Sequence, residues 1–141
     1  MEKIQAYIVG QVISTNSEDA FTLAEKSSFG EKVGEKIQYS VAEAIYLVEK
    51  DKLDLFQGSK GKKINKKEII EKLKRIDSKI QVKYPVFKDL REKGYIIKTA
   101  LKFGADFRVY NKGSKPGSEH ARWILFTAHE TEKFNWHDFS A

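Results

Sequence analysis

The apolar residues of this chain change their period at Gly94, and that change narrows the folds open to it. Before it, Ile80, Tyr84, Phe87 and Leu90 recur at steps of three and four, the spacing of one helix face. After it, Tyr95-Ile96-Ile97, Phe107-Arg108-Val109-Tyr110 and the run from Ala121 to Ala128 read as strands, separated by loops at Phe103-Gly104 and from Asn111 to Glu119. Gly94 suits the left-handed residue that closes a helix. A helix from about Ser78 to Lys93, with Pro85 marking a kink or its true start, is therefore followed by a sheet.

The N-terminal half mixes both periods on a smaller scale. Ile4 to Ile13, rich in β-branched residues, reads as one or two strands broken at Gly10, and Ser17 is placed to cap a short helix through Lys26. Ser40 and Glu43 have the Ser-x-x-Glu spacing of a capping box, in which each side chain satisfies an end amide of the other residue. Val41, Ala44, Ile45 and Val48 carry that helix to about Glu49. Leu53 to Phe56 can form a strand, and Gly58-Ser59-Lys60-Gly61 a flexible turn. Asn65 with Glu68 repeats the cap more loosely ahead of Ile69, Ile70, Leu73 and Ile76. The expected fold class is α+β: a small mixed α/β domain over residues 1–62, a basic connecting helix over 63–77, and a helix-and-sheet domain over 78–141.

Charge is distributed unevenly. The 141 residues carry 26 Lys plus Arg against 20 Asp plus Glu, a net charge of +6. Gly58 to Lys83 alone holds ten basic residues against Glu68, Glu71 and Asp77, so this stretch is +7 and the remainder about −1. It is either a solvated helix face or a surface turned toward phosphates. Nine Phe, six Tyr and two Trp in a chain that is 40% hydrophobic exclude disorder along its whole length. The absence of cysteine excludes disulfide frameworks, thiolate metal centres and thiol catalysis, and fits an intracellular, cytoplasmic protein. No apolar run approaches the roughly 20 residues that span a bilayer, and MEKIQAYIVG lacks the features of a signal peptide, so no membrane partner is expected.

Most chemistries lack their residues here. The only histidines are His120, His129 and His137, without the His-x-x-x-His spacing of a helical metal site. No Glu stands two positions before a Lys, as a metal-dependent nuclease of the Asp…Glu-x-Lys type requires, and no P-loop, GxGxxG or GxSxG is present. What remains is Lys102 to Trp123. Tyr110 ends one strand and His120 precedes the next, and strands joined by such a loop tend to pair, which would bring phenol and imidazole to one sheet edge beside Lys112 and Lys115. Histidine is the natural acid at neutral pH, whereas tyrosine needs neighbouring positive charge to act as a base. Spacing alone equally allows Tyr110 to be a core aromatic and His120 a surface loop residue.

Family resemblance bears on that choice. DLREKGY, KFGADFRVY and a loop ending in EHA, spread over Lys88 to Trp123, resemble the catalytic domain of the archaeal tRNA-splicing (tRNA intron) endonucleases. The resemblance implies a small α/β N-terminal domain and a restriction-endonuclease-like α/β catalytic domain with a central mixed sheet. It also implies metal-independent, cofactor-free cleavage of precursor tRNA at the bulge-helix-bulge motif, leaving 2′,3′-cyclic phosphate and 5′-hydroxyl ends. By that resemblance Tyr110 takes the 2′-hydroxyl proton and His120 protonates the departing 5′-oxygen, while the neighbouring cations Lys112, Lys115 and Arg122 are expected to hold RNA.

The family's third catalytic residue, a Lys, is expected about ten residues beyond Ala141, and Lys133 comes too early to replace it. The chain is accordingly read as C-terminally incomplete. Family members assemble as homo- or heterotetramers, or as dimers of doubled chains too long for this one. Glu130 and Glu132 fall where the family's acidic docking loop belongs, though a solvated hairpin tip would look the same. The alternative role is a non-catalytic structural or RNA-binding subunit of the same complex.

Overall fold

The computed structural model describes residues 2–100, 106–116, 120–127 and 134–138. The chain divides into two compact units, Met1–Ile80 and Gln81–Ala141.

In the first unit the order is β1 (Ile4–Val9), β2 (Val12–Thr15), α1 (Glu18–Ser27), β3 (Glu31–Val33), β4 (Lys36–Tyr39), α2 (Val41–Glu49), β5 (Leu53–Gln57) and α3 (Ile69–Leu73), the last entered through a 3₁₀ turn at Lys66–Glu68. The sheet runs β3-β4-β2-β1-β5, with β1 and β5 parallel and the other pairs antiparallel. Alternate residues Ile4, Ala6, Ile8, Ile13, Ile37, Leu53 and Leu55 are buried beneath Ala20 and Leu23 of α1 and Ala44, Ile45 and Leu47 of α2.

Local signals account for most of these elements. Glu43 Oε1 accepts the Ser40 N–H at 3.0 Å while Ser40 Oγ accepts the Glu43 N–H at 3.2 Å, so the capping box forms. Asn65 caps the 3₁₀ turn by accepting the Lys67 N–H at 3.0 Å. The helix expected to reach Ile76 ends at Leu73, whose carbonyl accepts the N–H groups of both Ile76 and Asp77. Sequence reading had not placed the β3–β4 hairpin. It is anchored from a distance, by the buried Gly30 N–H donating to Glu43 Oε2 at 2.8 Å.

The second unit holds α4 (Ile80–Glu92), β6 (Ile96–Thr99), β7 (Phe107–Tyr110), β8 (Trp123–Thr127) and β9 (Phe134–Asp138). Helix α4 starts at Ile80, so Pro85 is interior and does not open it; Pro85 and Gln81, whose carbonyl loses its helical donor, are both exposed. Gly94, at φ +98°, closes α4 with both bonds of a Schellman motif, Tyr95 N–H to Leu90 O at 3.1 Å and Gly94 N–H to Arg91 O at 2.9 Å. The sheet order is β6-β7-β8-β9, antiparallel throughout.

The fold is α+β with a mixed sheet, as expected; among the described residues the parallel pair lies in the first unit. Parallel neighbours need a long crossover, which the chain between β1 and β5 supplies, whereas strands that follow one another through short loops pair antiparallel. Phe87 and Phe107 meet at 6.0 Å in the second unit's core, and Lys83, the last residue of the basic stretch, is buried with its ammonium 5.4 Å from the Phe107 ring centre. One end of the basic stretch therefore serves packing and not a surface. No helix among the described residues is long and apolar enough to cross a membrane.

Candidate active site

Strands β7 and β8 carry the site. Ile96 of β6 faces Tyr110, Val109 faces Trp123, and the Arg122 N–H donates to Val109 O at 2.8 Å. The loop leaving Tyr110 therefore returns beside its own start. Tyr110, Ile96 and Ala121 form one buried cluster that closes its neck. On leaving β7 the chain turns at once: Ser114 N–H donates to Asn111 O at 3.1 Å, with Gly113 at φ +74° supplying the left-handed residue of the turn.

Between the turn and the returning strand lies an open depression of about 500 Å³, lined by Asn111, Lys112, Gly113, Ser114, His120 and Arg122. His120 is exposed there, flanked by two cationic side chains. Lys112 runs over Gly94, within 3.4 Å of where a Cβ would stand, and its Nζ is 5.4 Å from the Tyr95 ring centre. The Arg122 guanidinium carbon is 5.5 Å from the Trp123 ring centre, and Tyr95 and Trp123 meet edge to face at 5.9 Å. These aromatic bodies steer two long, flexible side chains toward one place. An imidazole sharing a depression with two cationic side chains can hold a phosphate, offset charge that builds on it, and deliver a proton.

The expected site residues are not all together. Lys112, His120 and Arg122 share the depression. Tyr110 adjoins it in the chain but is 2% exposed, packed on Ile96 and Ala121, with the Arg108 guanidinium carbon 5.9 Å from its ring centre. Lys115 is exposed and not among the lining residues, and Glu130 and Glu132 lie outside the described residues. Sequence reasoning missed Asn111, Ser114 and Arg108. Asn111 and Ser114 were legible as the ends of an Asn-x-Gly-x turn. Arg108 was legible only as a charge inside a strand; its Nε donates to Thr99 O at 2.7 Å.

Comparison with known proteins now adds to this geometry. Residues 80–141 match the family model of the tRNA intron endonuclease catalytic C-terminal domain, and residues 4–70 match that of the tRNA intron endonuclease N-terminal domain. The chain belongs to the tRNA intron endonuclease family. Among its relatives in that family, the tRNA-splicing endonuclease of Thermococcus onnurineus is 37% identical over 141 residues, covering 99% of this chain and 80% of the relative. That of Pyrococcus abyssi is 37% identical over 139 residues (98% and 78%), and that of Nanoarchaeum equitans 38% over 105 residues (70% and 67%). The depression, with His120 on its wall, lies wholly within the part matching the endonuclease catalytic domain.

Proposed function

We propose that this protein is a catalytic subunit of a tRNA-splicing endonuclease, cutting precursor tRNA at the intron–exon junctions of a bulge-helix-bulge motif. The observation that carries the reading is the convergence of His120, Lys112 and Arg122 on one depression at the end of β7, inside the stretch matching the family's catalytic domain. In the reaction the 2′-oxygen forms a bond to the adjacent phosphorus and the bond from phosphorus to the 5′-oxygen breaks. No water is consumed, so the products are a 2′,3′-cyclic phosphate and a 5′-hydroxyl. His120 gives the proton that the 5′-oxygen needs. Tyr110, one residue before the depression's first wall residue, accepts the 2′-hydroxyl proton, for which its phenol, 2% exposed beside Ile96 and Ala121, has to turn toward the depression; Lys112 and Arg122 hold the phosphate while Lys115 engages the flanking backbone.

The nucleophile belongs to the substrate, which makes the activity specific for RNA, and with protein groups to move the protons and bear the charge the reaction proceeds without a metal. Residues 63–77 serve as the basic connector, and Glu130 and Glu132 dock on a neighbouring subunit of a tetramer in the cytoplasm. The test is cleavage of a bulged precursor RNA in EDTA by the native gene product with its partner subunits. Cyclic-phosphate ends are expected, with a loss of about 10²-fold or more in His120→Ala. Cutting that stops in EDTA and returns with a divalent ion, or that survives His120→Ala, refutes the reading. RNA that is bound but never cut would favour the structural-subunit alternative.

A further inference from the structure

Among the described residues of the first unit, helices cover one face of the sheet and leave the other open, and the open face has a definite chemistry. Outward positions line up across four strands: Gln38 of β4 pairs with Ser14 of β2, Ser14 with Tyr7 of β1, and Tyr7 with Phe56 of β5. The Tyr7 and Phe56 rings stack at 5.5 Å with planes 29° apart, and both are only half-buried. The next outward pair, Val9 and Val12, is 58% and 43% exposed. An aromatic pair bordered by bare valines on a soluble sheet has no role in that sheet's own core, which lies on the opposite face.

Cations border this surface. Beyond β5 the chain doubles back along its outer edge: Gln57 N–H donates to Lys62 O at 3.0 Å and Ile64 N–H to Leu55 O at 2.7 Å, which sets Lys63 opposite Phe56. Residues opposite each other in a ladder point to the same side, so Lys63 stands on the open face. Lys63 and Lys3 both approach Asp54, at 3.3 and 3.6 Å, and this trio keeps a positive charge. Lys60, exposed in the turn before this edge, continues the border. The basic stretch singled out in the sequence thus runs past the aromatic pair, and no step of the cleavage chemistry uses it.

We propose that this open face is a second RNA-contact surface, taking unpaired nucleotides of the precursor by stacking on Tyr7 and Phe56 while Lys3, Lys60 and Lys63 track the backbone. Paired aromatics on a sheet face, edged by lysines, combine the two attractions that hold single-stranded RNA: ring stacking and phosphate neutralisation. A protein partner fits less well, because a border with a net positive charge asks for a polyanion. The inference rests on RNA being the substrate, and it assigns this face to binding alone.

The test uses the whole chain and a fluorescent oligouridylate of roughly a dozen nucleotides, read by anisotropy across a salt series. Tyr7→Leu and Phe56→Leu are each expected to weaken binding about 5- to 100-fold. Val9→Glu, at a 58% exposed position where folding is insensitive to the side chain, should weaken it as well. Replacing Lys3, Lys60 and Lys63 together by Gln should flatten the salt dependence by about 2 in log–log slope. Affinity unchanged within about twofold in Phe56→Leu and Val9→Glu, with melting curves showing folded protein, overturns the proposal. So does a change of assembly size without a change of affinity, which would make the face a subunit contact. Weakened binding in an assembly that never cuts RNA would leave this surface standing and sink the endonuclease reading; normal cutting with unweakened binding would do the reverse.

Discussion

Removing the Glu43 carboxylate should cost more than any single helix cap. The side chain is 3% exposed and accepts three hydrogen bonds: Ser40 N–H at 3.0 Å and Ser40 Oγ–H at 3.1 Å on Oε1, and Gly30 N–H at 2.8 Å on Oε2. In Glu43→Ala the Gly30 N–H loses its acceptor in a buried setting, worth about 1–3 kcal/mol, and the reciprocal half of the capping box goes with it, worth about 1 kcal/mol more. The expected loss is about 3 kcal/mol, a large share of the 5–15 kcal/mol typical of a whole domain. Glu43→Gln keeps the shape but turns one acceptor oxygen into a donor, so one anchor survives and roughly half the loss is expected. Urea unfolding followed by far-UV circular dichroism measures both. Tryptophan emission would not report on this unit, because Trp123 and Trp136 both lie in the second. A loss under about 1 kcal/mol in Glu43→Ala, or equal losses in the two variants, would refute the idea that one carboxylate ties the β3–β4 hairpin to α2.

Two neighbours of that carboxylate give opposite expectations. Tyr39 Oη is buried without a hydrogen-bond partner among the described residues, so Tyr39→Phe should leave stability unchanged or raise it by about 1 kcal/mol at neutral pH; a loss of that size in thermal melts would count against the unpaired hydroxyl. Burial, and then the Glu43 charge, push the Tyr39 phenol above its ordinary value of 10.0. The sign follows: the folded state holds this proton more tightly, so stability is full below pH 10 and falls as pH rises beyond it, and Tyr39→Phe should remove that alkaline component from the unfolding profile. Gly30→Ala should destabilise by about 2 kcal/mol or more in the same urea titration, since φ is +83° and a Cβ would run into Ile37 Cγ2 and stand 2.9 Å from Tyr39 Cε1; an unchanged midpoint would refute it.

What the sequence made legible was what is decided locally. The capping box at Ser40 and Glu43 and the helix stop at Gly94 depend on residues within one turn, and both take the geometry their spacing implies. The β3–β4 hairpin escaped because Glu31, Lys32 and Val33 are all exposed and so show no alternation; their place comes from the Gly30–Glu43 bond thirteen residues apart in sequence. The parallel β1–β5 pair, which puts Tyr7 beside Phe56, joins residues 49 positions apart and left no mark on either segment's own pattern. Lys83 was counted with a basic surface because its burial against Phe107 is a tertiary fact.

The site shows the same division more sharply, since its loop was legible and its neck was not. Pairing of the strands around the loop follows from their patterns, and it brings His120 and Lys112 to one depression. The burial of Tyr110 depends on Ile96 from one neighbouring strand and Ala121 from the returning chain, meeting on one face. That contact fixes more than packing. Ala121 points inward while His120 and Arg122, on either side, are exposed, so the alternation that buries the small residue also presents the imidazole and the guanidinium. A one-residue slip of β8 on β7 would exchange these roles, driving His120 or Arg122 against Ile96 and turning Ala121 outward. Such a slip would bury a polar or charged group beside an apolar cluster, and that cost is what holds His120 at the mouth of the depression. The register of the β7–β8 pair is therefore part of the chemistry, set by the apolar neck and not by the loop that carries the reactive group.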